Sequence, residues 1–236
     1  MFDRLLPLKY TVDGNRHFID VIVPRHLQKN LTVYDVGGGK NPCISQEQKE
    51  KLSLVVIGVD IDEQELRRAP QGIYDEIISA DVTQYQGRGD ADLVVCQALL
   101  EHVKDIDKAF AALSSIVKPE GTILIFVPSK NALYARLNRM LPESLKRKLL
   151  YFLYPQSGRD QGFPSYYNKC SPKDFYKLAR QHGLRVAEAE FYYMSAYFSF
   201  FFPAFFIWRI WVLIYHLVVG EQAAETFSMA LTKEAI

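Results

Sequence analysis

An apolar run that ends in a carboxylate and a cluster of glycines constrains this chain more than any other feature. Residues Val33-Tyr34-Asp35-Val36-Gly37-Gly38-Gly39-Lys40 read as a buried strand running straight into a Gly-rich turn. A second apolar run, Leu54-Val55-Val56-Ile57-Gly58-Val59, ends at Asp60. The two acids stand about one strand–helix–strand unit apart, the separation at which a parallel sheet puts a carboxylate on a ribose. The pattern predicts an α/β fold whose ligand carries a ribose and sits at the carboxyl ends of the strands.

The chemistry of the turn narrows the ligand. Glycine suits a backbone that takes unusual dihedrals and approaches a ligand closely. A dinucleotide turn would read G-x-G-x-x-G, and counted from Gly37 its third glycine position holds Pro42. Proline removes an N–H from the helix start that would cradle a pyrophosphate. Asp35, just before Gly37, is a poor neighbour for phosphate and a good one for an ammonium group or a hydrogen-bond donor. A cationic, phosphate-free nucleoside fits better than NAD.

These residues resemble the class I S-adenosylmethionine-dependent methyltransferases. Asp35-Val36-Gly37-Gly38-Gly39 matches that family's first motif, and Asp60 the acid ending its second strand. Ile77-Ile78-Ser79-Ala80-Asp81-Val82 matches the segment after strand three whose Asp faces the adenine. The Asp92–Val103 segment matches the Asp-led fourth strand and its adjoining helix, and Lys118–Pro128 the Pro-x-Gly turn that opens strand five. The motifs lie in order over roughly residues 30–130. The resemblance implies a Rossmann-like sheet of six parallel strands with an antiparallel seventh, helices on both faces, and S-adenosyl-L-methionine as cofactor. It assigns cofactor binding to Asp35, Gly37, Gly38, Gly39, Asp60, Ile61, Asp81, Val82 and Gln97. Asp35 and the glycines would hold the methionine end, Asp60 the ribose, with Asp62 as an alternative, and Asp81 and Val82 the adenine.

The bulk properties exclude several classes. The 236 residues suffice for one large domain or a domain plus a cap, and residues 1–236 are expected to form a single domain with 129–170 as a cap insertion. A net charge of +1 gives no reason to expect nucleic acid as a partner. Cys43, Cys96 and Cys170 are far apart and form no C-x-x-C pair, which argues for a reducing compartment and against a disulfide or zinc framework. The first residues lack the apolar core and small-residue cleavage site of a signal peptide, so a cytoplasmic protein is expected.

Residues 14–29 read as a lead-in helix, with Phe18, Ile19, Ile22, Val23 and Leu27 on one stripe. From 32 to 127 strand and helix patterns alternate, as a parallel sheet requires. Residues 129–170 read as an insertion of short basic amphipathic helices broken at Pro142 and Pro155, with Arg136, Arg139, Lys146, Arg147 and Lys148 among leucines. Ser171-Pro172-Lys173-Asp174 reads as a helix cap and His182-Gly183 as that helix's end. Leu184–Tyr193 and Thr226–Thr232 read as strands six and seven.

Between those strands, residues 194–220 form a second insertion, almost all apolar and rich in Phe, Tyr and Trp. A helix from Pro203 to Gly220 has about 16 residues, or about 24 Å, short of a bilayer core of about 30 Å. It is expected to lie in a membrane interface, with Trp208, Trp211 and Tyr215 at headgroup depth and Arg209 snorkelling. The other readings are a core helix and a subunit interface. In the implied topology both insertions, 129–170 and 194–220, flank the carboxyl edge of the sheet. That suits a small or lipid-linked acceptor, with peripheral membrane contact through 136–153 and 194–220.

Glu101 and His102 are the obvious acid/base pair near the site. His102 can take a proton from a hydroxyl acceptor, since imidazole titrates near neutral pH; the other reading is a packed histidine beside a salt-bridging glutamate. A related Glu-x-x-Glu-His metal pattern is broken by Ala98. Tyr166-Tyr167-Asn168-Lys169 reads either as a wall of the acceptor pocket or as a surface loop. Two other functions fit such a sheet: a nicotinamide-dependent oxidoreductase, and a non-catalytic membrane-associated scaffold.

Overall fold

The computed structural model describes residues 10–140, 163–194 and 202–234. The apolar runs form strands β1 (Thr32–Val36), β2 (Val55–Asp60), β3 (Glu76–Ser79), β4 (Ala91–Gln97), β5 (Val117–Pro128), β6 (Leu184–Tyr192) and β7 (Thr226–Lys233). They make one sheet in the order β3-β2-β1-β4-β5-β7-β6. The first five strands pair in parallel. β7 runs antiparallel to both β5 and β6, so β6 points the same way as the first five. The expected sheet of six parallel strands with an antiparallel seventh is the one observed.

Alternation along each strand divides the core between two faces. On one face Tyr34, Val36, Val94, Cys96, Ile123 and Ile125 pack under α5 (Ile106–Ile116) and α7 (Pro172–Gln181). Phe110, Phe175 and Phe227 join α5, α7 and β7 edge to face, with centroids 5.1 and 5.0 Å apart. On the other face Val33, Val56, Leu93, Val95, Leu124 and Phe126 meet Phe18 and Ile22 of the lead-in helix.

The chain runs outward from β1 through α3 (Gln46–Leu52), β2, α4 (Glu63–Arg67) and β3, then returns to place β4 on the other side of β1. Strand order reverses at β1, and a crevice outside the carboxyl ends of the strands is where such sheets bind ligands.

Several elements differ from expectation. The lead-in helix is α1 (Gly14–His17), a π-helical turn over Phe18–Ile22, and α2 (Val23–His26). Val23 N–H bonds back to Phe18 O just before Pro24, which has no N–H to continue the ladder. β3 ends at Ser79 and Asp81 lies in the turn after it, as expected. In β5 pairing to β4 breaks after Val117 and resumes at Thr122, around a left-handed Glu120 (φ 65°) in the Pro-x-Gly turn. The α7 cap is as expected, with Ser171 Oγ accepting from Asp174 N–H and His182 at the C-cap.

Of the two insertions, α6 (Leu133–Met140) and residues 163–170 are described, as is α8 (Phe202–Val219). Lys146, Arg147, Lys148, Pro142 and Pro155 lie outside the described residues. At about 27 Å, α8 is short of a bilayer's hydrocarbon core, and no described helix is long and apolar enough to cross a membrane.

Two side chains of α8 contradict the expectation for them. Arg209 does not snorkel: it is fully buried and donates from Nη1 to Tyr193 O at 2.7 Å and from Nη2 to Tyr10 O at 2.6 Å. Trp208 is likewise buried and not at headgroup depth, packed with Tyr193, Val212, Ala223 and Ala224. The carbonyls at the end of β6 and before α1 leave the regular ladders, and a guanidinium satisfies both at once.

Candidate functional site

The turn after β1 is built around Asp35. Gly37 has φ 80°, a region disfavoured for side-chain-bearing residues, and its N–H bonds to Val59 O at 2.7 Å, tying the turn to β2. A Cβ on Gly38 would lie 2.3 Å from Asp35 Oδ2, so the second glycine is what lets the turn fold onto the carboxylate.

Asp35 is fully buried. Its Oδ2 accepts from Cys43 N–H at 3.1 Å and from the Tyr74 hydroxyl at 3.2 Å. Its Oδ1 has no hydrogen-bond partner among the described residues. Burial pushes the Asp35 carboxyl up to about 6, against the lowering effect of those two donors. The Tyr74 hydroxyl also lies 3.1 Å from Gly39 O, so one phenol braces the acid and the glycine turn together. Burial and the Asp35 charge hold that phenol far above its ordinary range.

Asp60 ends β2 opposite the turn. Its Oδ1 accepts from Asp62 N–H at 3.0 Å, and its Oδ2 would stand 3.5 Å from a Cβ on Gly39. Half-buried, its carboxyl is raised by desolvation. Asp62 caps α4, accepting from Gln64 and Glu65 N–H. Of the two acids, Asp60 therefore has the oxygen beside the glycines. Ile61, between them, is 59% exposed.

Asp81 is fixed by local bonds: Oδ1 accepts from Thr83 N–H at 2.8 Å and Thr83 Oγ1 at 2.9 Å, which lowers its pKa. Val82 beside it is buried. Gln97 ends β4, accepting from Cys43 Sγ at 2.7 Å and donating to Asn15 Oδ1 at 2.6 Å. The two bonds connect the lead-in helix, the end of β4 and the segment after the glycine turn.

Glu101 and His102 lie on a 3-10 turn (Leu100–His102) just past β4, not on an α-helix. Glu101 is 4% exposed and its Oε2 has no hydrogen-bond partner among the described residues. Burial pushes its carboxyl up to about 8, so it carries a proton at neutral pH. Its backbone oxygen accepts from Tyr166 and Tyr167 N–H at 2.7 and 3.0 Å, docking the 163–170 segment on this turn. Tyr167 is buried against Ala132, Tyr134 and Ala135. His102 Nδ1 donates to Pro164 O at 3.1 Å, which leaves the Nε2 lone pair available, 3.8 Å from Glu101 Oε1.

The site thus gathers Asp35, the glycines, Asp60 and Gln97 around the β1–β2–β4 edge, with Glu101 and His102 past the end of β4. Tyr74, Cys43 and Asn15 belong to it and were not among the sequence candidates. Tyr74 lies in an irregular connection, Gly72-Ile73-Tyr74-Asp75, where no period marks it out.

Comparisons with known proteins concern the family and the fold. Residues 9–189 match a family model described as a methyltransferase domain. The chain is 28% identical over 163 residues to the ubiquinone biosynthesis O-methyltransferase of Thiobacillus denitrificans, covering 66% of this chain and 65% of that protein. It is 26% identical over 164 residues to the protein of the same name from Cupriavidus pinatubonensis, covering 66% of this chain and 61% of that one. The matches span just under two thirds of those relatives. Among solved structures, a Methanosarcina mazei SAM-dependent methyltransferase superposes with a TM-score of 0.59 at 16% identity, covering 92% of this chain and 98% of that one. Haemonchus contortus phosphoethanolamine N-methyltransferase 2, solved with S-adenosyl-L-methionine, gives 0.58 at 16% identity, covering 99% of this chain and 56% of that one. At these identities the likeness concerns the fold.

Proposed function

Because the chain belongs to the methyltransferase-domain family, we propose that it transfers a methyl group from S-adenosyl-L-methionine to a hydroxyl of a small, lipid-like acceptor. The observation that carries this reading is the pair of acids about the glycine turn: Asp35 beneath it with one unpartnered oxygen, and Asp60 across from Gly39. These residues fit the cofactor. A carboxylate under the turn favours an ammonium group and repels phosphate. Asp60 Oδ2 is free of the Asp62 bond and suits a pair of ribose hydroxyls. Asp81 and Val82 would border the adenine, and Gln97 the methionine end.

Bound there, the cofactor supplies a methyl on a sulfonium, open to in-line displacement. The protein's part is chiefly positioning. His102 Nε2 would hold and take the acceptor's hydroxyl proton, while Pro164 O keeps the other ring nitrogen protonated. Glu101 positions this base by holding the Tyr166–Tyr167 backbone against the 3-10 turn. A hydroxyl acceptor is favoured over nitrogen or carbon because the relatives named above are O-methyltransferases. Pro42 and the Asp35 carboxylate count against the nicotinamide reading.

Incubation with S-adenosylmethionine carrying a labelled methyl and a prenylated catechol tests the proposal. Label should appear in the organic phase. Replacing His102 by Ala should lower kcat by about 10²–10⁴ and leave S-adenosylhomocysteine affinity unchanged. No label with wild-type protein that binds S-adenosylhomocysteine would set the hydroxyl acceptor aside. Protein that binds neither cofactor nor product would favour the scaffold.

A further inference from the structure

The outward side of α8 has no cover among the described residues. Phe202, Ile207, Ile210, Trp211, Ile214 and Leu217 are all exposed, Ile207 by 68% and Leu217 by 84%. At about 100° per residue they spread over about half the helix circumference. The opposite half holds Trp208, Arg209 and Val212, all buried. The helix is therefore apolar on both sides, one against the protein and one against solvent. Exposed apolar patches of this extent mark binding surfaces.

We propose that this face of α8, with Arg136 and Arg139 of α6, is a docking surface for a bilayer containing anionic lipid. Charge and side-chain chemistry choose the occupant. Arg136 donates from Nη2 to the Tyr215 hydroxyl at 2.6 Å and lies 5.0 Å from that ring's centroid, and Trp211 stacks on Tyr215 at 5.7 Å. An exposed guanidinium and two amphipathic rings thus line one border of the apolar face, the composition of a headgroup boundary. Arg139 is exposed one turn further along α6. A second copy of this chain would bring the same arginines against each other across a two-fold axis, whereas anionic headgroups pair with them.

The buried bonds of Arg209 keep α8 lying along the protein, so docking buries one face and does not insert the helix. α8 also adjoins the carboxyl edge of the sheet, since it connects Tyr192 of β6 to Thr226 of β7, paired residues at that edge. Delivery of a membrane-borne acceptor to the site is a consequence that rests on the methyl-transfer reading; the docking itself does not.

Flotation of the full chain with vesicles tests this, using phosphatidylcholine alone and phosphatidylcholine mixed with phosphatidylglycerol. Wild-type protein should float with the mixed vesicles and far less with the neutral ones. An Ile214→Ser/Leu217→Ser variant should bind roughly tenfold more weakly or worse, and an Arg136→Gln/Arg139→Gln variant should lose the preference for phosphatidylglycerol. S-adenosylhomocysteine titration of the same preparations should give unchanged affinities, and it separates failure of docking from failure of the cofactor reading. Wild-type protein that ignores both vesicles, or a serine variant that floats like wild type, overturns the proposal. So does a concentration-dependent dimer in sedimentation that the serine pair abolishes, since the occupant is then a second copy.

Discussion

Among the described residues, Asp35 and Glu101 are buried carboxyl groups with an oxygen that finds no partner, and they differ in what holds the rest of the group. Asp35 has Cys43 N–H and the Tyr74 hydroxyl, and its pKa rises only to about 6; Glu101 has its own backbone N–H to oppose burial and rises to about 8. Between its ordinary value and about 8, Glu101 keeps in the native state a proton that the unfolded chain has released. Native stability from this group is therefore full below pH ~4.5 and is lost as pH rises through about 8. Glu101→Gln cannot ionise, so its stability relative to wild type should grow from pH 5 to pH 9 in denaturant titrations. Equal pH dependence in the two proteins would contradict a buried, protonated Glu101. Tyr74→Phe removes a donor from buried Asp35 and should cost about 1–3 kcal/mol, read by the same titration. Asp35 and Asp60 were legible in the sequence because each ends an apolar strand. Tyr74 was not, because it reaches Asp35 from an irregular segment 39 positions away.

At the scale of elements, the strands and the α7 cap could be read from period and capping residues, which are local signals. The character of α8 could not. Its sequence is apolar all round, so periodicity carries no direction, and only the packed structure assigns Trp208 and Arg209 to the inside. An arginine in such a helix reads as an interface residue until two distant carbonyls, at Tyr10 and Tyr193, turn out to need it. Replacing Arg209 with Leu removes a charged donor from both carbonyls and should destabilise the protein by about 2–4 kcal/mol, with the lead-in segment losing amide-exchange protection first. Uniform loss of protection across the sheet would contradict that local role. At the other packing face, Phe175→Ala opens a cavity between Phe110 and Phe227 and should cost about 3–5 kcal/mol, measured by chemical denaturation.

Across the whole molecule, sheet order does most to create the site. Placing β2 and β4 on either side of β1 brings Asp60 and Gln97 to the same edge as the glycine turn, although they are 37 positions apart in the chain. The insertions after β5 and β6 reach that edge because the connected strands end there. The family's motifs made the sheet readable in advance; the contacts of the lead-in helix with Gln97, and of α8 with Tyr10 and Tyr193, depend on side chains from distant segments and were not. The central claim is that the edge between Asp35 and Asp60 binds the methyl-donor nucleoside. Calorimetric titration with S-adenosylhomocysteine, with NAD as control, tests it most directly on wild type and Asp60→Ala. Wild-type protein should bind S-adenosylhomocysteine saturably and ignore NAD, and Asp60→Ala should bind about 1–3 kcal/mol more weakly. Saturable NAD binding, no binding of either compound, or an Asp60→Ala protein with wild-type affinity would contradict it.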